Sequence, residues 1–173
     1  FLREKHAETD FVNASMIILG GSKHNQEKVK KLYKNHSICK TNNYIFTDKI
    51  TASLIKYSIN SFLASKVIFF NQLKDLFDSS GANVDWDTFT NILSVDKRIG
   101  SSHMDVPGHD GRLGFGGACF TKDTAALVKY SQNMNKEFSF LRKAIEINNK
   151  IRSNYDQVDQ REKDQNVTYN FDD

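Results

Sequence analysis

A short glycine-rich run followed by a cysteine is the part of the chain best suited to chemistry. Three glycines lie within the four residues 114–117, and Cys119 comes two residues later. We call Gly114–Gly117 the glycine segment. Glycine has no Cβ, so the backbone of such a segment can come very close to a neighbouring group. The pattern therefore predicts close packing, against a ligand or against the protein itself, beside a thiol.

The residues after the cysteine predict a helix. We expect Thr121 to act as the N-cap of a helix over residues 122–132. Cys119 would then lie just ahead of a helix N-terminus, where the macrodipole favours anions, including the nucleophilic thiolate. The spacing alone also fits a glycine-rich turn that leads into a helix and carries a small buried cysteine.

Three further side chains could take part in the same chemistry. Lys56 and Asn60 are one helical turn apart, so an ammonium and an amide would share a face and could hold a developing oxyanion. The alternative is that both face solvent. Asp123 follows Cys119 by one turn and, as an acid in the first turn, could simply complement the dipole.

Composition excludes several classes of function. The chain has 173 residues, a net charge of +3 and a mean hydropathy of −0.55, so we expect no nucleic-acid and no membrane partner. With no signal peptide, we expect a cytoplasmic protein whose two cysteines stay reduced. His103, His109 and Asp110 are too closely spaced in a loop, with too few further ligands, so no metal site is predicted.

The first part of the chain predicts a small α/β piece. A short apolar strand over residues 16–19 is followed by a helix over 26–33 and a second strand over 44–46. We therefore assign residues 1–47 to the trailing α/β part of a nucleotide-binding domain.

The rest of the chain is predicted to be mostly helical. A helix over residues 48–80 contains no glycine or proline and is apolar on nearly every side in its second half, which is typical of a buried helix. A partner subunit would help to cover it, so we expect a homodimer. Further helices are predicted after Asp85 and over 122–132 and 136–152. Residues 48–152 would form a helical central or dimerisation domain, and 153–173 a polar linker or tail.

Four blocks of sequence resemble one enzyme family. Gly-Phe-Gly-Gly-Ala-Cys-Phe-Thr-Lys-Asp at 114–123 resembles the active-site cysteine motif of the UDP-glucose/GDP-mannose dehydrogenase family, with threonine in place of the usual proline. Lys-Tyr-Ser-Ile-Asn-Ser-Phe-Leu-Ala at 56–64 is similar to the family's lysine/asparagine helix. Asp-Lys-Arg-Ile-Gly at 96–100 and Phe-Leu-Arg-Glu at 1–4 add two more blocks in the same order. The loop 105–112 looks longer than the family's commonest form.

The resemblance implies a fold and a reaction. The central domain would resemble the C-terminal helical domain of 6-phosphogluconate dehydrogenase. The activity would be NAD-dependent oxidation of the C6 alcohol of UDP-glucose, or a related nucleotide sugar, to the uronic acid through a thiohemiacetal and a thioester. Cys119 would be the nucleophile, Lys56 and Asn60 would stabilise oxyanions, and Asp123 would help to activate water. Glu4 matches the second of two glutamates that flank the family's active site.

The resemblance also implies how substrate, cofactor and subunits meet. The residues expected to bind the nucleotide sugar are Phe1, Leu2, Arg98, Gly114, Phe115, Gly116 and Gly117. Arg98 would reach a substrate phosphate from the neighbouring subunit; its alternative is an ordinary surface arginine. No Gly-X-Gly-X-X-Gly is present, so the NAD site would lie mostly outside this chain, and a start inside a family motif predicts an inactive piece of a longer parent.

Two other functions compete with this reading. A non-catalytic helical dimerisation module would need no intact catalytic set, whereas all four of Lys56, Asn60, Cys119 and Asp123 are present. A cysteine hydrolase would need a histidine paired with the thiol, and no histidine lies in a helix-anchored context.

Overall fold

The computed structural model describes residues 6–155 and 160–169. The chain forms two compact units, Phe1–Ser58 and Ile59–Asp173. The candidate site residues Phe1, Leu2 and Glu4 lie outside the described residues. Within the described ranges, no helix has the length and apolar character needed to cross a membrane.

The first unit contains the predicted strand–helix–strand arrangement. It begins with a short helix α1 (Ala7–Val12), followed by strand β1 (Ile17–Gly20), helix α2 (Lys23–His36) and strand β2 (Tyr44–Thr47). The two strands pair in parallel. Helix α2 is longer than the predicted 26–33 because Ser22 accepts a hydrogen bond from the backbone of its first turn.

A buried glutamine joins the two strands where they end. Gln26 is 6% exposed, and its Nε2 donates to the carbonyl oxygens of Leu19 at 2.9 Å and Thr47 at 2.6 Å. These carbonyls lie at the carboxyl end of each strand, so one side chain ties both strands to the helix between them.

The long helix α3 (Lys49–Ser79) confirms the predicted span of 48–80 to within one residue at each end. Asp48 caps it, since its Oδ1 accepts from the Thr51 amide at 2.9 Å. The second half buries Ala64, Ile68 and Phe70 but leaves large apolar side chains exposed, namely Phe62, Phe69 and Leu76. This chain alone therefore covers only part of the helix.

An aromatic cluster forms the core at the end of α3. Helix α4 (Trp86–Ser94), capped by Asp85 as predicted, places Trp86 against Phe70 and Phe77 at ring-centroid distances of 6.2 and 5.5 Å. The indole nitrogen donates to the Met104 carbonyl at 3.2 Å, which satisfies the polar group of a side chain only 7% exposed. The same bond fixes the start of the long loop that leads to the glycine segment.

The last helices are α5 (Ala118–Asn133), α6 (Ser139–Arg152) and α7 (Gln160–Asp164). Helices α5 and α6 pack against each other. The buried residues of α6 recur at helical spacing, and they are Leu141, Ala144, Ile145, Asn148 and Arg152. Helix α6 begins three residues later than predicted, after a turn in which Asn135 takes a positive φ of 54°.

The predicted start of α5 was wrong. The helix begins at Ala118, four residues earlier than predicted, and its N-cap is Gly117 at a φ of 75°. Glycine adopts this backbone angle without strain. The Thr121 hydroxyl donates instead to the Gly117 carbonyl at 2.6 Å, a bond made inside the first turns of the helix. Thr121 therefore lies within the helix and does not cap it.

The aromatic cluster leads to a first prediction. Phe70→Ala should lower the free energy of unfolding by about 3–5 kcal/mol, because a large ring that is 3% exposed leaves a cavity. Urea denaturation followed by Trp86 fluorescence measures the change. The matched control is Phe62→Ala, which removes the same ring from the same helix at a position 68% exposed. Equal losses in the two variants at the same low protein concentration would contradict this account of the core.

Candidate active site around Cys119

Cys119 is the second residue of α5 and is an exposed free thiol. It was predicted to lie just ahead of the helix; it lies inside the first turn instead. The backbone amides of a first turn have no partner within the helix, and the macrodipole places partial positive charge there. The thiol therefore lies at the positive end of the helix dipole.

Asp123 lies one turn further along α5 and is 1% exposed. Its Oδ2 accepts from Asn60 Nδ2 at 2.5 Å, and its Oδ1 pairs with Lys122 Nζ. The carboxylate is thus buried and bound from two sides, as a buried charge requires. The alternative role in complementing the dipole was wrong, because no acid lies in the first turn of the helix as it forms.

The Asn60–Asp123 bond joins two candidate residues that are 63 positions apart in the sequence. An amide nitrogen carries two N–H donors, and Asp123 Oδ2 accepts only one of them. Among the described residues no further acceptor for this amide is found, so its other N–H can be donated to an oxygen that develops negative charge. Lys56 lies in α3 four positions before Asn60, within the first compact unit.

Arg98 lies in a turn after α4, where its side chain is 89% exposed. Its guanidinium forms three hydrogen bonds with the Asp96 carboxylate: Nε donates to Oδ1 at 3.0 Å and to Oδ2 at 3.1 Å, and Nη2 donates to Oδ2 at 2.5 Å. These bonds lower the pKa of Asp96 and raise that of Arg98. This position is compatible with both predicted alternatives for Arg98, an ordinary surface arginine and a residue that binds a substrate phosphate.

A buried lysine holds the turn that carries Arg98. Lys66 is 9% exposed, and its Nζ donates to the carbonyl oxygens of Ile99 at 2.9 Å and Gly100 at 3.2 Å. Burial lowers the pKa of Lys66. Sequence analysis assigned no role to this lysine.

The glycine segment is held through its backbone by buried side chains of three helices. The Gly114 amide donates to Asn71 Oδ1 at 2.9 Å, and the Phe115 amide donates to Asn148 Oδ1 at 2.7 Å. The Gly117 amide donates to Glu162 Oε1 at 3.0 Å. These three amides therefore fix the segment itself.

Gly114 and Gly116 are needed because the side chains of Asn148 and Glu162 lie so close to their backbone. A Cβ at Gly114 would lie 2.6 Å from Asn148 Oδ1, and one at Gly116 would lie 2.5 Å from Glu162 Oε1. Gly114 also has a φ of 73°. The close approach predicted from the glycines is thus made, among the described residues, with the protein's own side chains.

A group of buried charges lies beside the segment. Arg152 is 3% exposed; its Nη1 pairs with Asp110 Oδ2 at 2.7 Å and its Nη2 donates to the Gly114 carbonyl at 3.0 Å. Glu162, 2% exposed, lies 3.7 Å from Arg112 and 3.9 Å from Arg152, and it accepts from the Tyr169 hydroxyl. Burial, and then Glu162, raise the pKa of Tyr169, so its phenol stays protonated as a donor.

Sequence analysis missed the residues that support the glycine segment. Asn71 and Asn148 are polar residues buried beside apolar ones in α3 and α6, and that combination is the one signal that could have singled them out. Glu162 gave no signal, because it lies in a stretch whose composition is that of a polar tail. Asp110, considered for a metal site, instead pairs with Arg152.

The arrangement combines an exposed thiol at a helix N-terminus, a buried carboxylate one turn away and an amide bound to that carboxylate. A thiolate in this position can add to an electrophilic carbon. The amide can bind the resulting oxyanion, and the carboxylate can orient the amide.

Comparisons with known proteins match most of this chain to one enzyme family. Residues 50–150 match the central domain of the UDP-glucose/GDP-mannose dehydrogenase family. The UDP-glucose 6-dehydrogenase of Rickettsia felis is 34% identical over 155 residues, which is 89% of this chain and 33% of the relative. That of Rhizobium meliloti is 38% identical over 155 residues, 86% of this chain and 33% of the relative.

Among solved structures, a UDP-glucose dehydrogenase from the hyperthermophilic archaeon Pyrobaculum islandicum superimposes with a TM-score of 0.73 at 30% identity, over 86% of this chain and 32% of that one. This similarity agrees with a mostly helical central domain. The chain spans about a third of the length of these relatives. Since the family's central domain matches more than half of its residues, this chain belongs to the UDP-glucose/GDP-mannose dehydrogenase family.

Proposed function

We propose that the chain is the central part, with the trailing part of a cofactor domain, of an enzyme that oxidises the C6 alcohol of a nucleotide sugar to the acid. UDP-glucose is the substrate proposed, because relatives over most of the chain are UDP-glucose 6-dehydrogenases. The observation that supports this most directly is the Asn60–Asp123 bond one turn from Cys119. It joins two of the four proposed catalytic residues, and Cys119 lies four positions before Asp123 in the same helix.

Each residue has a role in the second half of this reaction. The Cys119 thiolate adds to the C6 aldehyde, and the carbonyl oxygen becomes the oxyanion of a thiohemiacetal. Loss of a hydride gives a thioester, which water cleaves to the acid and free thiol. Lys56 and the second N–H of Asn60 would stabilise the oxyanion. Asp123 would hold that amide in orientation and assist the attacking water.

NAD is the hydride acceptor in this proposal, yet the residues present do not fit a dinucleotide site. The Gly20–Gly21 pair at the end of β1 is the part of the described chain most similar to a phosphate-binding turn. A Cβ at Gly20 would lie 2.7 Å from the Ala52 Cβ and 3.1 Å from the Lys49 Cα, so this glycine serves packing against the start of α3. The NAD site would lie mostly outside this chain.

A homodimer would complete the proposed enzyme. The exposed apolar side chains of α3, Phe62, Phe69 and Leu76, are the surface on which a second copy would pack. Arg98 would then reach a substrate phosphate bound mainly by the other subunit. Phe1, Leu2 and the glycine segment are the other residues proposed to bind the substrate, and Glu4 is a further proposed catalytic residue. A dimerisation module without catalysis would use the same apolar surface, so the two functions differ in what Cys119 does.

Light scattering tests the dimer. At tens of micromolar, the chain should have twice its mass of 19.8 kDa, because pairing would bury the exposed apolar face of α3. Phe62→Asp should shift the equilibrium toward the monomer, since it would place a charge in that interface. A wild-type chain that stays monomeric at this concentration would contradict the proposal.

Calorimetry tests the proposed location of the cofactor site. Titration of NAD into this chain should give no saturable heat, because the glycine fingerprint is absent and the space beside Gly20 is occupied by the start of α3. Binding in the micromolar range would show that the chain itself holds the dinucleotide.

Replacing the thiol tests the chemistry in the longer enzyme to which this chain would belong. Cys119→Ser should retain oxidation of the alcohol to the aldehyde, a step that needs no covalent bond to sulfur. Oxidation of supplied nucleotide-sugar aldehyde should fall sharply, because a serine hydroxyl is far less ionised and its ester is cleaved less readily than a thioester. NADH absorbance at saturating aldehyde measures the second step.

Two comparisons sharpen this test. Lys56→Ala should slow both steps, since a lost oxyanion donor typically costs about 10²–10³ in rate. Cys39→Ser removes a thiol from a loop of the first unit and should leave both steps unchanged. If Cys119→Ser oxidises the aldehyde as fast as wild type, Cys119 is not the nucleophile, and the non-catalytic module becomes the better reading.

A further inference from the structure

Residues 160–169, which we call the C-terminal strap, contact the start of the Cys119 helix. The strap consists of α7 and a turn in which Asn166 takes a positive φ of 52°. This turn returns the chain so that the Tyr169 hydroxyl donates to Glu162 Oε1. The Tyr169 hydroxyl therefore helps to hold the Glu162 carboxylate beside the glycine segment.

Glu162 supplies the helix cap that the local sequence lacks. The N-cap of α5 is a glycine, which makes no side-chain cap bond. In many helices, a glutamate three residues into the helix accepts from the N-cap amide. Here Glu162 accepts from the Gly117 amide at 3.0 Å, from 45 residues further along the chain. Its negative charge also lies at the end of the helix where the macrodipole favours an anion.

The contact is built into the buried structure. Glu162 is 2% exposed, and a carboxylate this buried requires partners. Arg112 and Arg152 supply opposite charge at 3.7 and 3.9 Å, and Arg152 also binds the Gly114 carbonyl. Gly116 is required as well, because a Cβ there would lie 2.5 Å from Glu162 Oε1 and 2.8 Å from Arg152 Nη2. The strap and the glycine segment are therefore fitted to each other.

We propose that Glu162 is a positioning residue for Cys119: by binding the Gly117 amide, the docked strap fixes the first turn of α5, which carries the thiol. Glu162 acts through the backbone of that turn and takes no part in bond formation. Its importance for catalysis rests on the proposed function. The positioning itself is a property of this chain and is tested on it.

The experiment is amide hydrogen exchange by NMR on the full 173-residue chain. Glu162→Ala should speed exchange of the Gly117 amide about 10- to 100-fold, the loss expected for a hydrogen bond to a charged acceptor. The ¹³Cα shift of Cys119 should move from its helical value toward coil. The Thr90 amide, in the aromatic core, should exchange as in wild type.

Three further variants separate the cap from a general loss of stability. Glu146→Ala removes a carboxylate that is 44% exposed on α6 and should change none of these signals. Glu162→Gln keeps an oxygen acceptor for the Gly117 amide, so exchange there should lie between wild type and Glu162→Ala. Tyr169→Phe removes one hydroxyl and should give a smaller change in the same direction; it serves as the test if Glu162→Ala does not fold.

Two results would overturn the proposal. One is an unchanged Gly117 exchange rate and Cys119 shift in Glu162→Ala, or in Tyr169→Phe if that variant has to serve. The other is acceleration at Thr90 equal to that at Gly117, which would make Glu162 a general stabilising residue. Neither result bears on whether Cys119→Ser blocks aldehyde oxidation, so failure here is distinguishable from failure of the proposed function.

Discussion

The backbone amides of the glycine segment depend on acceptors brought from distant parts of the sequence. A buried amide without a partner is costly, and a loop supplies few partners of its own. Asn71, Asn148 and Glu162 each provide one oxygen, and each comes from a different helix. The position of the segment, and so of Cys119 just after it, is set by acceptors on α3, α6 and α7.

Helix α3 supports the site through two side chains on one face, Asn60 and Asn71. Asn60 and Asn71 are 11 residues apart, close to three helical turns, so their side chains point the same way about 16 Å apart along the axis. Asn60 binds Asp123 in α5 and Asn71 binds Gly114. A rigid helix between these contacts fixes the spacing of the glycine segment and the carboxylate. A break in α3 would uncouple them, which gives a physical reason for its uninterrupted length.

Local patterns predicted much of this structure. The span of α3, the Asp85 cap and the parallel strand pair follow from apolar spacing, capping residues and the lack of glycine and proline. The start of α5 could not be predicted this way. Thr121 is the better N-cap by type, but the Gly117 amide has an acceptor in Glu162, a contact between residues far apart in the sequence. Long-range bonds overrode a local preference at the position nearest the thiol.

The same reasoning explains why a tail-like composition misled. Residues 156–173 hold six acids and two bases, a balance typical of a solvated segment. Glu162 is buried because Arg112 and Arg152 supply opposite charge where its carboxylate lies, and Arg152 is itself neutralised by Asp110. Each charge in this group is acceptable in the interior only because the others are present, since removing one partner of a buried pair typically costs about 3–5 kcal/mol. The loop 105–112, α6 and the strap therefore depend on one another. Through Arg152 and Glu162 they support the glycine segment that leads to Cys119. Composition describes a segment by itself, whereas burial of a charge is decided by the elements around it.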